Sequence, residues 1–395
     1  MMPRHLPACI LLIAALGSGA YADSIFDTEG TGRDLIPAAG NTRAMGGAVV
    51  AGEDIISCSI LSPFASALSD RITVTGGFAH TGTNTTYLGE EKRTVTTLFP
   101  SVTVIIPFKG ISFLTGLYQE KGGRLTLADT DTAYAIELLD VTFRKETSVH
   151  SVPVLASKVL NRRLTVSAGL IVSFFDTRET TTTDFRDEAR TDPEDVHDLY
   201  ATGRAFAGGA LVDLDLVRLA GFYRSAVDLD GTLESRNQYA GLYSSDDVAL
   251  ESEQAFALGV LVRPTRYLTL EADYHESPWD EIRLDRRQIT DKSVARWAVG
   301  VRYHGDWLWK ASKYPLIAGY YWQPINWESP ATGQITEEVL SIGTSIPIGQ
   351  GRAAVSLSLE AGRRMAENTG EIDETMYGFS LSVSAAEAWR RAIRR

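Results

Sequence analysis

Glu271 and Asp273 stand two residues apart, and Arg296, Arg302 and Glu360 lie in segments of the same character farther along the chain. Paired carboxylates can divide acid and base work when their surroundings push them apart. On a β-strand, however, positions i and i+2 merely share one face. With three more charges of mixed sign, the set reads as a charge ladder bracing something inside the protein. His80, His150, His197, His275 and His304 lack a serine partner that would make a hydrolase pair. There is no Gly-x-Ser-x-Gly elbow, phosphate loop, His-Glu-x-x-His or Cys-x-x-Cys. No catalytic residue follows, no cofactor is expected, and Cys9 and Cys58 with few histidines build no metal cluster.

The elements carrying these charges have a period of two. Ala295, Trp297, Val299, Val301 and Tyr303 alternate with Arg296, Ala298, Gly300, Arg302 and His304. Val355, Leu357, Leu359 and Ala361 alternate with Ser356, Ser358 and Glu360, and Tyr377, Phe379, Leu381 and Val383 alternate with Gly and Ser. One apolar and one polar face is the pattern of a β-strand. About fourteen such stretches follow residue 70, many near the ten residues that a tilted transmembrane strand needs. Their polar face of Gly, Ser, Thr and charges suits a wet lumen.

Connections alternate between short and long. Pro107–Gly110, Leu160–Arg163, Asp213–Val217, Arg263–Arg266 and Pro347–Gly351 are short; 81–93, 119–138, 176–198, 225–252, 276–292, 324–336 and 364–374 are long, polar and acidic. That asymmetry, with an even strand count, predicts an all-β, antiparallel up-and-down barrel in a bacterial outer membrane, both chain ends lying in the periplasm. The aromatic connection 305–315 breaks the scheme. Trp279, Trp297, Tyr303, Trp307, Trp309, Tyr314, Tyr320, Tyr321, Trp322 and Trp327 suggest a local girdle at headgroup level.

The chain has 395 residues and a net charge of −12, which argues against a nucleic-acid partner. Residues 1–22 have a basic start, a short apolar core and Ala20-Tyr21-Ala22, a cleaved signal peptide by pattern. No later apolar run approaches eighteen residues, so a membrane form must be a closed barrel. Residues 23–70 are rich in Gly and Ala, with helical turns expected near 41–52 and 62–69, Pro63 following Ser62 as cap. Such an apolar segment ahead of a barrel reads as an N-terminal plug, or hatch. The expected division is signal 1–22, hatch 23–70, barrel 71–385 and a basic periplasmic tail 386–395.

Several stretches together resemble the FadL family of outer-membrane transporters for long-chain fatty acids and other hydrophobic compounds. Arg43-Ala-Met-Gly-Gly-Ala-Val-Val-Ala51 and Ser62-Pro-Phe-Ala65 are similar to its hatch, although Ser62 and Phe64 depart from its Asn-Pro-Ala motif. Gly221-Phe-Tyr-Arg-Ser-Ala-Val-Asp228, Ala257–Pro264, Leu268–Tyr274 with Trp279, Trp297–Tyr303 and Ile317–Tyr321 follow in the family's order. The resemblance implies a fourteen-strand plugged barrel with a lateral opening for an apolar solute. Arg43, Met45, Gly46, Gly47, Pro63 and Phe64 are then the ligand and hatch candidates. Pro100, Gly116, Gly122 and Gly123 are candidates for the lateral gate, since an exit through a barrel wall needs an irregular strand. The expected partners are a hydrophobic small molecule or fatty acid, outer-membrane lipid and lipopolysaccharide, with the chain a monomer. The competing reading is a structural or secretion-associated barrel that binds proteins and carries no solute.

Overall fold

In a computed structural model, the protein is described over residues 33–36, 40–52, 59–87, 90–131, 139–184, 194–238, 241–277, 279, 282–284, 287–288, 295–305, 314–329, 333–348, 352–367 and 372–387. The signal peptide, Cys9, Cys58, Trp307, Trp309 and the tail beyond Glu387 lie outside the described residues.

The wall is a closed antiparallel barrel of fourteen strands. They are β1 (Ile72–Tyr87), β2 (Glu90–Phe108), β3 (Ile111–Asp131), β4 (Leu139–Asn161), β5 (Leu164–Asp184) and β6 (Glu194–Asp213). Next come β7 (Val217–Arg224, continued by Asp228–Asn237), β8 (Leu242–Ser252, continued by Ala255–Thr265) and β9 (Leu268–Glu276, continued by Ile282–Leu284). The rest are β10 (Arg287–Gln288, then Ala295–Tyr303), β11 (Leu316–Ser329), β12 (Gly333–Ile348), β13 (Ala353–Ala366) and β14 (Ile372–Glu387). β14 closes on β1 from Ile372↔Tyr87 to Glu387↔Ile72, so the barrel leaves no terminal edge there.

Alternation sets the two faces. On β13, Ala354, Ser356 and Ser358 are buried inside, while Leu357 and Leu359 are exposed outside. Leu258, Trp297, Leu340 and Leu359 are each more than half exposed on the outer wall, as lipid-facing side chains must be. The turns at one end of the barrel are tight. Lys109 and Gly110, both at positive φ, join β2 to β3 in two residues. At the next such turn, Asn161 Oδ1 accepts from the amides of Arg163 and Leu164 at 2.8 and 3.0 Å.

Three expectations are corrected. The stretches read as long loops are mostly strand: β4 runs 23 residues, and β5 carries Arg178–Asp184 well beyond its apolar part. Thr-rich segments pair well, but both their faces carry polar residues, so they lose the apolar alternation that marks a strand. The lumen is not uniformly polar. Buried serines line it all round, from Ser112, Ser157 and Ser173 to Ser341, Ser358 and Ser380, but Ile105, Leu114, Leu155, Ile171, Leu211 and Phe222 add an apolar patch on the β2–β7 side. The apolar side packs Ile60, Leu61 and Phe64 of the hatch. Trp279 is no girdle residue: it turns inward and is fully buried. Tyr321 is also buried, while Trp297 and Tyr320 do face outward.

Candidate functional site

The hatch comprises a helical turn at Asn41–Ala44 and a 3-10 turn at Pro63–Leu68. Pro63 starts the second, as its fixed φ allows, but Ser62 makes no side-chain capping bond there; Ser66 Oγ donates to Pro63 O at 2.6 Å. Arg43 forms a fork with Glu360 on β13, its Nε and Nη2 donating to the two carboxylate oxygens at 2.6 and 2.7 Å. Asp273 on β9 accepts the backbone amides of Val49 and Val50, the latter at 2.7 Å. Ser341 Oγ donates to Ala44 O at 2.9 Å, and Ser157 Oγ donates to Pro63 O at 2.9 Å. The hatch is thereby held by charged or hydroxyl groups from β4, β9, β12 and β13.

Close approach needs small residues on both sides. Gly46 and Gly47 hold φ of 69° and 85°, and a Cβ on Gly46 would sit 2.6 Å from the Tyr320 amide nitrogen. Met45 lies against Gly300 and Gly319, neighbours across β10 and β11, so tight packing accounts for the Arg-Ala-Met-Gly-Gly glycines. Phe64 is buried against Gly209 of β6.

The ladder residues thus gather around the hatch, not along one wall. Glu360 and Asp273 bind it directly, the Glu271 carboxylate lies beside Gly52, and the Arg296 guanidinium lies beside Gly47. Arg302 is half-buried, one step from the Tyr303 end of β10.

The wall itself is interrupted between β2 and β3. Their pairing runs from Phe108↔Ile111 up to Ser101↔Tyr118 and stops. Above that point, β2 stays with β1 and β3 stays with β4. Two irregularities coincide with the break. Phe99 and Pro100 form a bulge where Gly77 pairs with Ser101 and Ala79 with Leu98; Glu120 forms another between Gln119↔His150 and Lys121↔Val149. Pro100, lacking an amide hydrogen, suits a position where the ladder is already broken. The freed edge of β3 takes a two-residue hatch strand, Arg33↔Gly122 and Asp34↔Lys121, and Leu35 N donates to Glu120 O at 2.8 Å. A cavity of about 580 Å³ lies at the break, lined by Thr96, Leu98, Gly122, Gly123 and Arg124 among others. Of the gate candidates, Pro100, Gly122 and Gly123 therefore meet at the break. Gly116 sits below it, paired with Thr103 of β2, where a Cβ would be 2.1 Å from Val102 O.

Two buried polar nodes escaped the sequence. At the β3 bulge, Arg224 Nη1 donates to both Glu120 oxygens at 2.9 and 2.8 Å, and Arg224 Nη2 donates to Ser173 Oγ at 2.8 Å. Trp279 Nε1 donates to Glu120 Oε2 at 2.7 Å, and the guanidinium lies 5.0 Å from the Trp279 ring centroid. Higher in the lumen, Arg364 joins Glu337 at 2.7 Å and Glu374 at 2.8 Å, with Tyr321 and Gln323 on Glu337 and Thr85 on Glu374. The available signal for the first node was Glu120 itself, a charge beside Gly122-Gly123 in a strand with an otherwise regular apolar face.

These features define a plugged membrane barrel with a break in its wall. The chain has the fold of three solved barrels in particular. A Pseudomonas aeruginosa FadL homologue aligns with 90% of this chain and 100% of its own at 13% identity, TM-score 0.59. The Ralstonia pickettii toluene transporter TbuX aligns with 88% and 98% at 14% identity, TM-score 0.59, and the Pseudomonas putida toluene transporter TodX with 90% and 100% at 13% identity, TM-score 0.57. No protein-family model matches the chain, and no curated protein sequence matches it.

Proposed function

We propose that this barrel resides in the outer membrane of a Gram-negative bacterium, exported by a cleaved signal peptide, and passively transports hydrophobic molecules without catalysis. The solute enters a plugged lumen and leaves sideways into lipid between β2 and β3. The observation that carries this reading is the end of β2–β3 pairing at Ser101↔Tyr118, beside the hatch and an apolar lumen wall. An aqueous pore has no use for a wall break, and a barrel filled by its hatch is a poor conduit for ions. The FadL-type fold and the cargo in the names of TbuX and TodX support the same class of solute. A long-chain fatty acid and a monoaromatic hydrocarbon both belong to that class. The monomer contacts outer-membrane lipid and lipopolysaccharide through its apolar belt, and the division into hatch 23–70, barrel 71–385 and tail 386–395 belongs to the same proposal.

Two measurements test it. Detergent-solubilised protein should bind a labelled fatty acid or toluene in competition with unlabelled ligand; no binding of either would favour the structural or secretion-associated barrel. Thr96→Cys and Arg124→Cys, introduced together with Cys58→Ser, allow a cleavable bis-maleimide to tie β2 to β3 across the break. Delivery of solute to lipid should then fall at least about tenfold and recover on cleavage, while binding persists. Unchanged delivery through the tied wall would exclude this exit.

A further inference from the structure

Resting on the transport reading, we infer that the lumen pocket beside the β3 bulge selects uncharged solutes, because Glu120 is a built-in carboxylate that already occupies Arg224. The pocket is a cavity of about 40 Å³ between the hatch and wall, too small for an aromatic ring until Ile60 and Leu61 of the hatch move aside, with Leu35, Ile60, Leu61, Ile171 and Phe222 among its lining residues. Its charged lining residues are Glu120, Arg224, Glu276 and Arg296, two acids against two arginines, so their formal charge is zero.

A buried arginine facing an apolar pocket is ordinarily the docking point for an anionic head, through two parallel N–H donors. Here that role is taken internally. Arg224 gives Nη1 to both oxygens of Glu120 and Nη2 to Ser173. These bonds engage three of its five N–H donors, and the Glu120 carboxylate already balances its charge. Trp279 closes the arrangement, donating to Glu120 and covering the guanidinium. Both ion-pair partners are about nine-tenths buried or more, with side-chain exposures of 5% and 10%. A second carboxylate would enter as an uncompensated charge beside Glu120, in surroundings that penalise it heavily. A hydrocarbon meets no such penalty. Glu120 is thus a specificity-determining residue, seated on the same bulge that opens the wall.

Three probes of matched shape test this on the full-length protein in non-ionic detergent at about pH 8, where an aromatic carboxylic acid is ionised. They are p-xylene, p-toluamide and p-toluate; the last two are both polar and differ in charge. The wild type should bind p-toluamide at least about tenfold more tightly than p-toluate. Glu120→Gln should tighten p-toluate at least about tenfold and change p-xylene less than about threefold, and adding Arg224→Met should abolish the gain. Folding of each variant is read from its heat-modifiable migration in gels, and the wild-type comparison stands without them. Equal affinity for the amide and the acid in the wild type would overturn the proposal while leaving transport intact. So would a folded Glu120→Gln protein that still rejects p-toluate. Failure of the wild type to bind even p-xylene would overturn the transport reading and this inference together.

Discussion

Arg43 and Glu360 show how much a single pair can hold. Their side chains are 7% and 10% exposed, and the fork is the hatch's ionic tie to β13. Removing one partner strands the other charge in a buried site. Glu360→Ala should therefore cost about 3–5 kcal/mol, and the double replacement Arg43→Met with Glu360→Met much less, as denaturant titration of the two proteins would reveal. Equal losses would mean that the pair contributes little beyond packing. Residue type and alternation mark Glu360 and Asp273 in the sequence, and the resemblance to a hatch marks Arg43. Glu120, Arg224 and Trp279 were not grouped because they come from β3, β7 and the β9 connection, and only the folded barrel brings them together. Sequence spacing carries no trace of a contact made across a lumen.

Among elements, the 3-10 turn Pro63–Leu68 is the hatch's apolar anchor. Phe64 packs in the cluster that includes Leu155, Leu211 and Phe222, and has no polar bond to replace what it loses on truncation. Phe64→Ala should lower stability by about 3–5 kcal/mol, measured as an earlier unfolding midpoint with the β content of the barrel retained. The strands were legible wherever one face meets lipid: β13 and β14 are marked by Val, Leu and Phe against Ser. Their extensions were not legible, since β5 beyond Asp176 is polar on both faces and β1 beyond His80 buries Thr83 and Thr85 where an apolar residue would have marked the inner face. Nor were the interruptions at 225–227 in β7 and 253–254 in β8, where no glycine or proline marks the gap. The β2–β3 break was half legible. Pro100 and Gly122-Gly123 marked irregular backbone, but pairing partners, not residue types, decide where a ladder ends.

For the molecule as a whole, the closed wall and the internal plug make a clear electrical prediction. Protein with its hatch should pass almost no ion current in a planar bilayer, whereas a form lacking 23–70 should show a steady aqueous conductance. A large current through the intact protein would contradict the plugged barrel. The barrel class was readable because bilayer thickness imposes strand length and period. The apolar patch on the β2–β7 side was not, because it shows only as the surface against which the hatch packs.

The hatch tie also bears on the order of assembly. Arg43 and Glu360 are 317 positions apart in sequence, and Ser341 reaches Ala44 across 297. A contact so distant along the chain cannot form until the strands that supply it are present. β12 and β13 are nearly the last to be made, so the plug can be bolted down only when the barrel is almost complete. Until then the contacts to earlier strands, such as those to β3, β4 and β9, must hold the hatch. The chain's first segment, held at β3 by Arg33 and Asp34, must wait for its final one.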